Sequence, residues 1–143
     1  MTIRMAALAA AAMFGLATPA LAAPAPLTGI WTGFYGYDGQ ANIVQFQARL
    51  SAGGAFAFTG ATIENNTFGD ANVLFLTANL KGVKNDTTGR VSFAKTYDGT
   101  GGQSHTVQYD GAYDSSGACV AGTWKIDGAG GPFRMCTASK PSS

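Results

Sequence analysis

The amino-acid sequence predicts an all-β protein, an eight-stranded antiparallel up-and-down β-barrel. Glycine is abundant, with 20 among 143 residues, and only 12% of the residues are charged, which suits short strands and tight turns better than solvated helices. Apolar and polar residues alternate in successive short runs, the pattern of half-buried strands. Asp-Gly and Gly-Gly dipeptides separate many of these runs, as hairpin turns require. The length fits one domain.

The first 22 residues have the pattern of a secretory signal peptide. Arg4 supplies a positive n-region, residues 5–16 form an apolar run rich in alanine, and residues 20–22 place small side chains at a cleavage position. A membrane-spanning helix fits less well, because the run is shorter than about 20 residues. Cleavage after Ala22 predicts a periplasmic or secreted protein with no membrane span in its mature form.

Both ends of the mature chain are expected to lie outside the barrel. Residues 23–28 form a proline-rich arm, in which Pro24 and Pro26 oppose a helix, and we expect a linker or a loose arm. Residues 139–143 are polar and predict a flexible tail. The barrel domain is therefore expected to span residues 29–138.

Eight strands are predicted between the turn signals. Their approximate bounds are 29–37, 42–50, 55–64, 73–81, 90–97, 104–111, 118–126 and 130–137. Strand one places Trp31, Tyr35 and Tyr37 on one face, because alternate side chains of a strand point to the same side. The dipeptide Asp38-Gly39 then supplies a tight hairpin turn. Strand two alternates apolar residues with Gln and Arg, so one of its faces is expected to meet water.

Strands three and five carry one charged residue each on the face that is otherwise apolar. Strand three places Phe56 and Glu64 on the same face, and strand five does so for Phe93, Lys95 and Tyr97. If the aromatic residues point inward, Glu64 and Lys95 do so as well. Burying two ions costs several kcal/mol unless they meet each other or a ligand's polar group. The sequence leaves open a structural pair and a pair that holds a ligand.

Strand four is apolar on both faces, and strand six combines a histidine with inner aromatic residues. His105 and Tyr109 share a face of strand six, whereas Ser104 lies on the opposite face. Adjacent Ser104 and His105 therefore cannot form a nucleophilic pair. Strand seven repeats the Gly-x-Trp motif of strand one at residues 122–124.

The last two strands predict a disulfide. If Asp127-Gly128 is a two-residue turn, counting outward places Cys119 opposite Cys136 in a non-hydrogen-bonded pair, where side chains approach most closely. In an oxidising compartment such a pair favours a disulfide on the outer face of the hairpin. Closing a loop of this size contributes roughly 3 kcal/mol in the chain-entropy treatment.

Eight short strands joined by turns, with Gly29-x-Trp31 opening the first, resemble the calycin-like barrels, which include lipocalins, avidins and small bacterial protease inhibitors. The resemblance covers the mature chain in architecture and the Gly-x-Trp motif in sequence. It implies a closed barrel whose mouth holds a small apolar or amphipathic ligand, or whose rim and N-terminal arm plug another protein.

The inner polar and aromatic residues are the candidate ligand-binding set, because ring surfaces and hydroxyl groups commonly line small-molecule pockets. The candidates are Tyr35, Tyr37, Glu64, Lys95, Tyr97, His105 and Tyr109. The same tyrosines could instead fill the interior, since eight strands leave space for packed side chains or for one small ligand.

Composition excludes several other functions. The formal charge is +1, and removal of Arg4 leaves eight basic against eight acidic residues, so nothing favours nucleic acid as a partner. One histidine and one cysteine pair do not make a metal site, and no cofactor is expected. With one histidine and one glutamate, we expect no enzyme. The first hypothesis is a small-ligand carrier, the second a protease inhibitor or interaction barrel acting through its N-terminal arm, and the third a solid structural barrel.

Overall fold

The computed structural model describes residue 15 and residues 22–138, and its architecture is a closed barrel of eight antiparallel strands. The strands are β1 (Gly29–Gly36), β2 (Ile43–Ala52), β3 (Ala57–Asn65), β4 (Phe75–Lys84), β5 (Arg90–Tyr97), β6 (Thr106–Tyr113), β7 (Cys119–Ile126) and β8 (Ala129–Thr137). Each strand pairs with its neighbours in the chain, and β1 also pairs with β8. The predicted fold class is confirmed. Most of the predicted signal peptide and the predicted tail lie outside the described residues.

The up-and-down order gives the barrel two distinct ends. We call the end at which β1 finishes the mouth. The loops of the mouth are residues 37–42, 66–74, 98–105 and 127–128. The opposite end, which we call the base, is formed by the N-terminal arm and three loops. The loops of the base are residues 53–56, 85–89 and 114–118.

Aromatic rings fill the middle of the barrel. Phe93 stacks on Tyr109 with 4.6 Å between the ring centroids, and Phe133 meets both rings edge-on. Phe58 packs against Phe93 from β3. These side chains are buried, as the alternation of the strands predicts. The interior between base and mouth is therefore a packed core.

The N-terminal arm closes the base. Leu27 is 2% exposed and Ala25 is also buried against the core. The Ala25 amide donates a hydrogen bond to the Gly117 carbonyl at 2.7 Å, and the Tyr113 hydroxyl donates one to the Ala25 carbonyl at 2.6 Å. The expectation of a linker or loose arm is wrong here. Its prolines keep the backbone extended, and the alternate residues Ala25 and Leu27 are apolar and turn toward the core.

The closing hairpin has the predicted register. Ile126 pairs with Ala129 across the Asp127-Gly128 turn, and Cys119 pairs with Cys136. The two cysteines form a disulfide. Both lie on the outer face of their strands, although Cys119 is itself buried. The two cysteines face each other because they lie at equal distances along the chain on either side of the two-residue turn.

The two Gly-x-Trp motifs have different physical reasons for their glycine. A Cβ atom on Gly122 would lie 2.0 Å from the Asp110 carbonyl oxygen, so β6 and β7 can approach only without a side chain there. Gly29 has open space around it but a φ angle of +74°, which L-residues rarely adopt. Trp31 lies near the base and Trp124 near the mouth.

One inward assignment of the sequence analysis is wrong. Phe56 is 66% exposed, because it precedes β3 and lies in the loop at the base. The β3–β4 ladder extends to the pair Ala57 and Val83, so β4 is longer at this end than its apolar run indicates. In the described part of the chain, no helix is long and apolar enough to cross a membrane.

Candidate functional site

The Glu64 carboxylate is the centre of a buried polar network near the mouth. Glu64 is 2% exposed, and its Oε2 accepts a hydrogen bond from Lys95 Nζ at 2.5 Å. Its Oε1 accepts hydrogen bonds from the hydroxyl of Tyr97 at 2.5 Å and from that of Tyr35 at 3.4 Å. Donors on β1 and β5 thus converge on one carboxylate on β3, which satisfies the requirement that a buried charge be paired and hydrogen-bonded.

The strand register explains how Lys95 reaches Glu64. Lys95 pairs with Leu80 on β4, and Leu80 pairs with Gly60 on β3, four residues before Glu64. The lysine therefore starts nearer the base, and its long side chain runs along the barrel to the carboxylate. Both side chains point inward because they share parity with buried residues on their own strands.

Aromatic rings surround the lysine ammonium. Lys95 Nζ lies 4.8 Å from the ring centroid of Tyr97, 5.1 Å from that of Tyr35 and 5.6 Å from that of Phe46. Cation–π attraction adds to the ion pair in this desolvated setting. Burial lowers the pKa of Lys95, while the charge of Glu64 and its hydrogen bond act in the opposite direction.

The tyrosines keep their protons. Burial raises the pKa of Tyr35 and Tyr97, and the negative charge of Glu64 raises both further. Burial also raises the pKa of Tyr109 well above its ordinary value. The Tyr35 hydroxyl also interacts with the hydroxyls of Tyr97 and Tyr37, so the three tyrosines and Glu64 form one polar network.

A cavity of about 100 Å³ lies at the mouth, with Tyr35 and Tyr97 in its lining. Five of the seven candidate residues line it, namely Tyr35, Tyr37, Tyr97, His105 and Tyr109. Glu64 and Lys95 are absent from the lining and contact it through the two tyrosines. Since a cavity of about 150 Å³ can hold benzene, this cavity suits a small molecule and not a lipid.

Two further aromatic residues complete the cavity walls. Trp124 meets Tyr37 edge-on at 5.1 Å, and its indole nitrogen donates a hydrogen bond to the Gly36 carbonyl at 2.7 Å. Phe68 packs against Tyr97 at 5.5 Å and against His105 at 5.9 Å. Trp124 points inward, as its strand parity indicates, but it was not among the predicted ligand-binding residues.

Phe68 was not predicted as a site residue, because it lies in a polar loop without strand periodicity. Asn66 orders this loop: its side-chain oxygen accepts a hydrogen bond from the Gly69 amide at 2.6 Å, and its side-chain nitrogen donates to the Asp70 and Val73 carbonyls. The run of Asn, Thr, Gly and Asp residues around Phe68 was the only sequence signal for this turn.

A larger, open groove of about 610 Å³ lies on the outer surface of strands β1 to β4. Phe34, Ile63 and Phe75 are exposed there, beside Gln45 and Gln47. The groove is separate from the mouth cavity, because the two share no lining residue, although the inward positions Gly33, Phe46 and Glu64 also border the groove. No group of three His, Cys, Asp or Glu residues that could hold a metal ion occurs in the described ranges.

Comparison with known proteins returned no matching family model, no matching curated protein and no matching solved structure.

Proposed function

We propose that the protein is an exported binding module that takes up a small amphipathic ligand at the mouth of its barrel. One observation carries the proposal: a buried ion pair holds the hydroxyls of Tyr35 and Tyr97 at the boundary of a cavity with aromatic walls. A barrel with a purely structural role could fill this position with apolar side chains and avoid the desolvation of two charges.

The architecture supports a site at the mouth over one at the base or in the middle. Leu27 and Ala25 close the base, and stacked rings fill the centre. The calycin-like plan inferred from the strand pattern is consistent with a ligand at the open end. The cavity volume of about 100 Å³ limits the ligand to a few heavy atoms inside the barrel.

We also propose that the protein is exported and that it binds its ligand without catalysing a reaction. The signal-peptide pattern of residues 1–22 and the Cys119–Cys136 disulfide both favour a periplasmic or secreted location. Glu64 and Lys95 are enclosed behind tyrosine rings and do not line the cavity. We therefore propose binding without a chemical step.

Native mass spectrometry of the protein purified from its own exporting cells tests the proposal. We expect an additional mass that is lost on denaturation. Ala129→Leu should abolish it, because the added side chain would fill the cavity that Ala129 lines, whereas Ala112→Leu, exposed on the outer face of β6, should leave it unchanged. Equal native and denatured masses in the wild-type protein would favour the structural barrel.

The outer groove favours a second candidate, a protease inhibitor or other protein-interaction barrel. Exposed Phe34 and Phe75 flank polar amides there, as in many protein-binding surfaces. The N-terminal arm supports this candidate less well, because a partner would have to withdraw Leu27 from the core. An empty barrel whose bound partner is lost in the Phe34→Ser, Phe75→Ser variant but kept in Ala112→Leu would support it.

A further inference from the structure

The charges of the barrel are distributed unevenly between its two ends. The four mouth loops contain four aspartates and no lysine or arginine: Asp38, Asp70, Asp98 and Asp127. Lys125, near the end of β7, offsets one of these charges, so the mouth keeps a net negative charge. At the base, Lys84 and Arg90 flank the loop that contains Asp86, and Asp114 lies in a neighbouring loop. A rim of one sign raises the local concentration of ligands of the opposite sign. The mouth therefore has a field that attracts cations.

Hydrogen bonds favour the ionised form of one rim aspartate. The Thr100 hydroxyl donates to Asp98 Oδ1 at 2.5 Å, and the Thr77 hydroxyl donates to Oδ2 at 2.7 Å. These bonds lower the pKa of the Asp98 carboxyl. Asp98 is exposed, so its negative charge faces the solvent from which a ligand would arrive.

The cavity beneath the rim offers acceptors and ring faces. The hydroxyl proton of Tyr97 is used by Glu64, and its oxygen has two lone pairs. Beside its contact with the Tyr35 hydroxyl, this oxygen can accept a hydrogen bond from a ligand. Tyr37 and Trp124 stand at 88° to each other in the wall, and the face of each ring carries negative charge density. Acceptors and aromatic faces are the groups that recognise an ammonium.

We propose that the mouth binds a small organic ammonium compound, a primary or methylated amine with about five heavy atoms. This inference rests on the proposed binding function and specifies its ligand class. The ammonium enters along the aspartate rim and donates a hydrogen bond to the Tyr97 phenolic oxygen, while its carbon groups contact the rings. Lys95 does not oppose the ligand strongly, because Glu64 neutralises it at 2.5 Å and it does not line the cavity.

Titration with tert-butylammonium and with tert-butanol, followed by the indole N–H signals in NMR spectra, tests the inference. The two molecules have the same shape and number of heavy atoms and differ in charge. We expect the Trp124 signal to move with both, with affinity for the ammonium at least about tenfold higher. The Trp31 signal is an internal control, because Trp31 lies near the base.

Two sets of variants test the contributions of the aspartate rim and of the tyrosine hydroxyls separately. Asp38→Asn with Asp127→Asn should weaken ammonium binding at low salt and leave alcohol binding unchanged. Asp86→Asn, at the base, should alter neither. Tyr97→Phe should weaken binding of both probes because it removes an acceptor, whereas Tyr113→Phe, whose hydroxyl serves the arm, should not.

The outcomes distinguish the two proposals. Equal affinity for the two probes, or tighter binding of tert-butanol, would overturn the ammonium inference and leave the binding module intact. A Trp31 shift without a Trp124 shift would place the ligand elsewhere and overturn the inference too. No shift with either probe, together with equal native and denatured masses in the protein from its own cells, would overturn both proposals.

Discussion

Glu64 is the centre of the buried polar network near the mouth of the barrel. Its carboxylate receives hydrogen bonds from Lys95, Tyr97 and Tyr35 while almost completely excluded from water. Breaking a buried pair by removing one partner is more costly than replacing both, because the remaining charge stays buried and unpaired. The strength of this network should therefore be visible as coupling between substitutions.

Lys95→Met should lower the free energy of unfolding by about 3–5 kcal/mol, because it leaves Glu64 without its counter-charge. Combining it with Glu64→Gln should recover part of this loss. Urea denaturation of the single and double variants measures the coupling. Lys84→Met is the matched control, since Lys84 pairs with Asp86 at the surface and should change stability by less than about 1 kcal/mol. Additive effects of Lys95→Met and Glu64→Gln would contradict the coupling.

Thr62 offers a second test at the same scale. It is buried on β3, and its Oγ1 has no hydrogen-bond partner in the described part of the chain. Thr62→Val keeps the shape and removes the unsatisfied hydroxyl, so it should raise the free energy of unfolding by about 1 kcal/mol. Thermal and urea denaturation would measure the change.

Thr77→Val is the control for that substitution. The Thr77 hydroxyl contacts Asp98 and Thr100 at 2.7 and 2.8 Å, so its loss should be destabilising. A loss of stability in Thr62→Val would mean that a buried water serves its hydroxyl.

At the scale of elements, the N-terminal arm acts as part of the barrel. It is extended and forms no strand in the described structure, yet it covers the base through Leu27 and Ala25. Its backbone bond to Gly117 lies in the loop next to Cys119. The arm, this loop and the disulfide hairpin thus stabilise the same end of the molecule.

Leu27→Ala should lower the free energy of unfolding by about 2–5 kcal/mol, the usual cost of a cavity left by a buried leucine. Pro26→Ala, at an exposed neighbouring position, should cost much less. Urea denaturation measures both. If the two substitutions have equal small effects, the arm does not pack on the core in solution.

At the scale of the whole molecule, the folded barrel holds three tyrosines in their protonated form to higher pH than the unfolded chain does. Tyr35, Tyr97 and Tyr109 have raised pKa values, chiefly through burial. In the unfolded chain each loses its proton near pH 10, approximately the ordinary tyrosine value. Above that pH the unfolded state binds fewer protons than the folded state, so stability must fall with rising pH.

Alkaline unfolding should therefore be steep and coincide with tyrosine ionisation. Each of the three tyrosines removes about 1.4 kcal/mol per pH unit above its unfolded pKa. Lys95 acts in the opposite direction, because its lowered pKa makes the folded state release a proton first, but it is one group against three. Phenolate absorbance and circular dichroism should change together. Ionisation of Tyr35, Tyr97 or Tyr109 in the folded state well before unfolding would contradict the prediction. Tyr37 and Tyr113 are less enclosed and are not part of this test, although burial raises the pKa of both, that of Tyr113 to about 12.

Much of the fold could be predicted from local patterns. Period-two alternation placed Glu64, Lys95 and Tyr97 inside, and counting from the Asp127-Gly128 turn paired Cys119 with Cys136. Both depend on neighbours along one strand or one hairpin, for which sequence spacing determines geometry. Phe56 was misplaced because alternation does not show where a strand ends.

The sequence predicted which residues of the candidate site point inward, but not that they converge on one carboxylate. Sequence parity indicates that Glu64, Lys95, Tyr35 and Tyr97 point inward, but their meeting at one carboxylate depends on the stagger of three strands around a closed barrel. The cavity beside them, which Phe68 also lines, likewise depends on contacts between distant loops. The sequence by itself determined the strands, the turns and the disulfide register, because these follow from local spacing. Only the tertiary structure decided that the arm covers the base, that rings fill the centre and that a small cavity remains at the mouth. The physical reason is that side chains from all eight strands share one interior, and their packing there depends on residues far apart in the sequence.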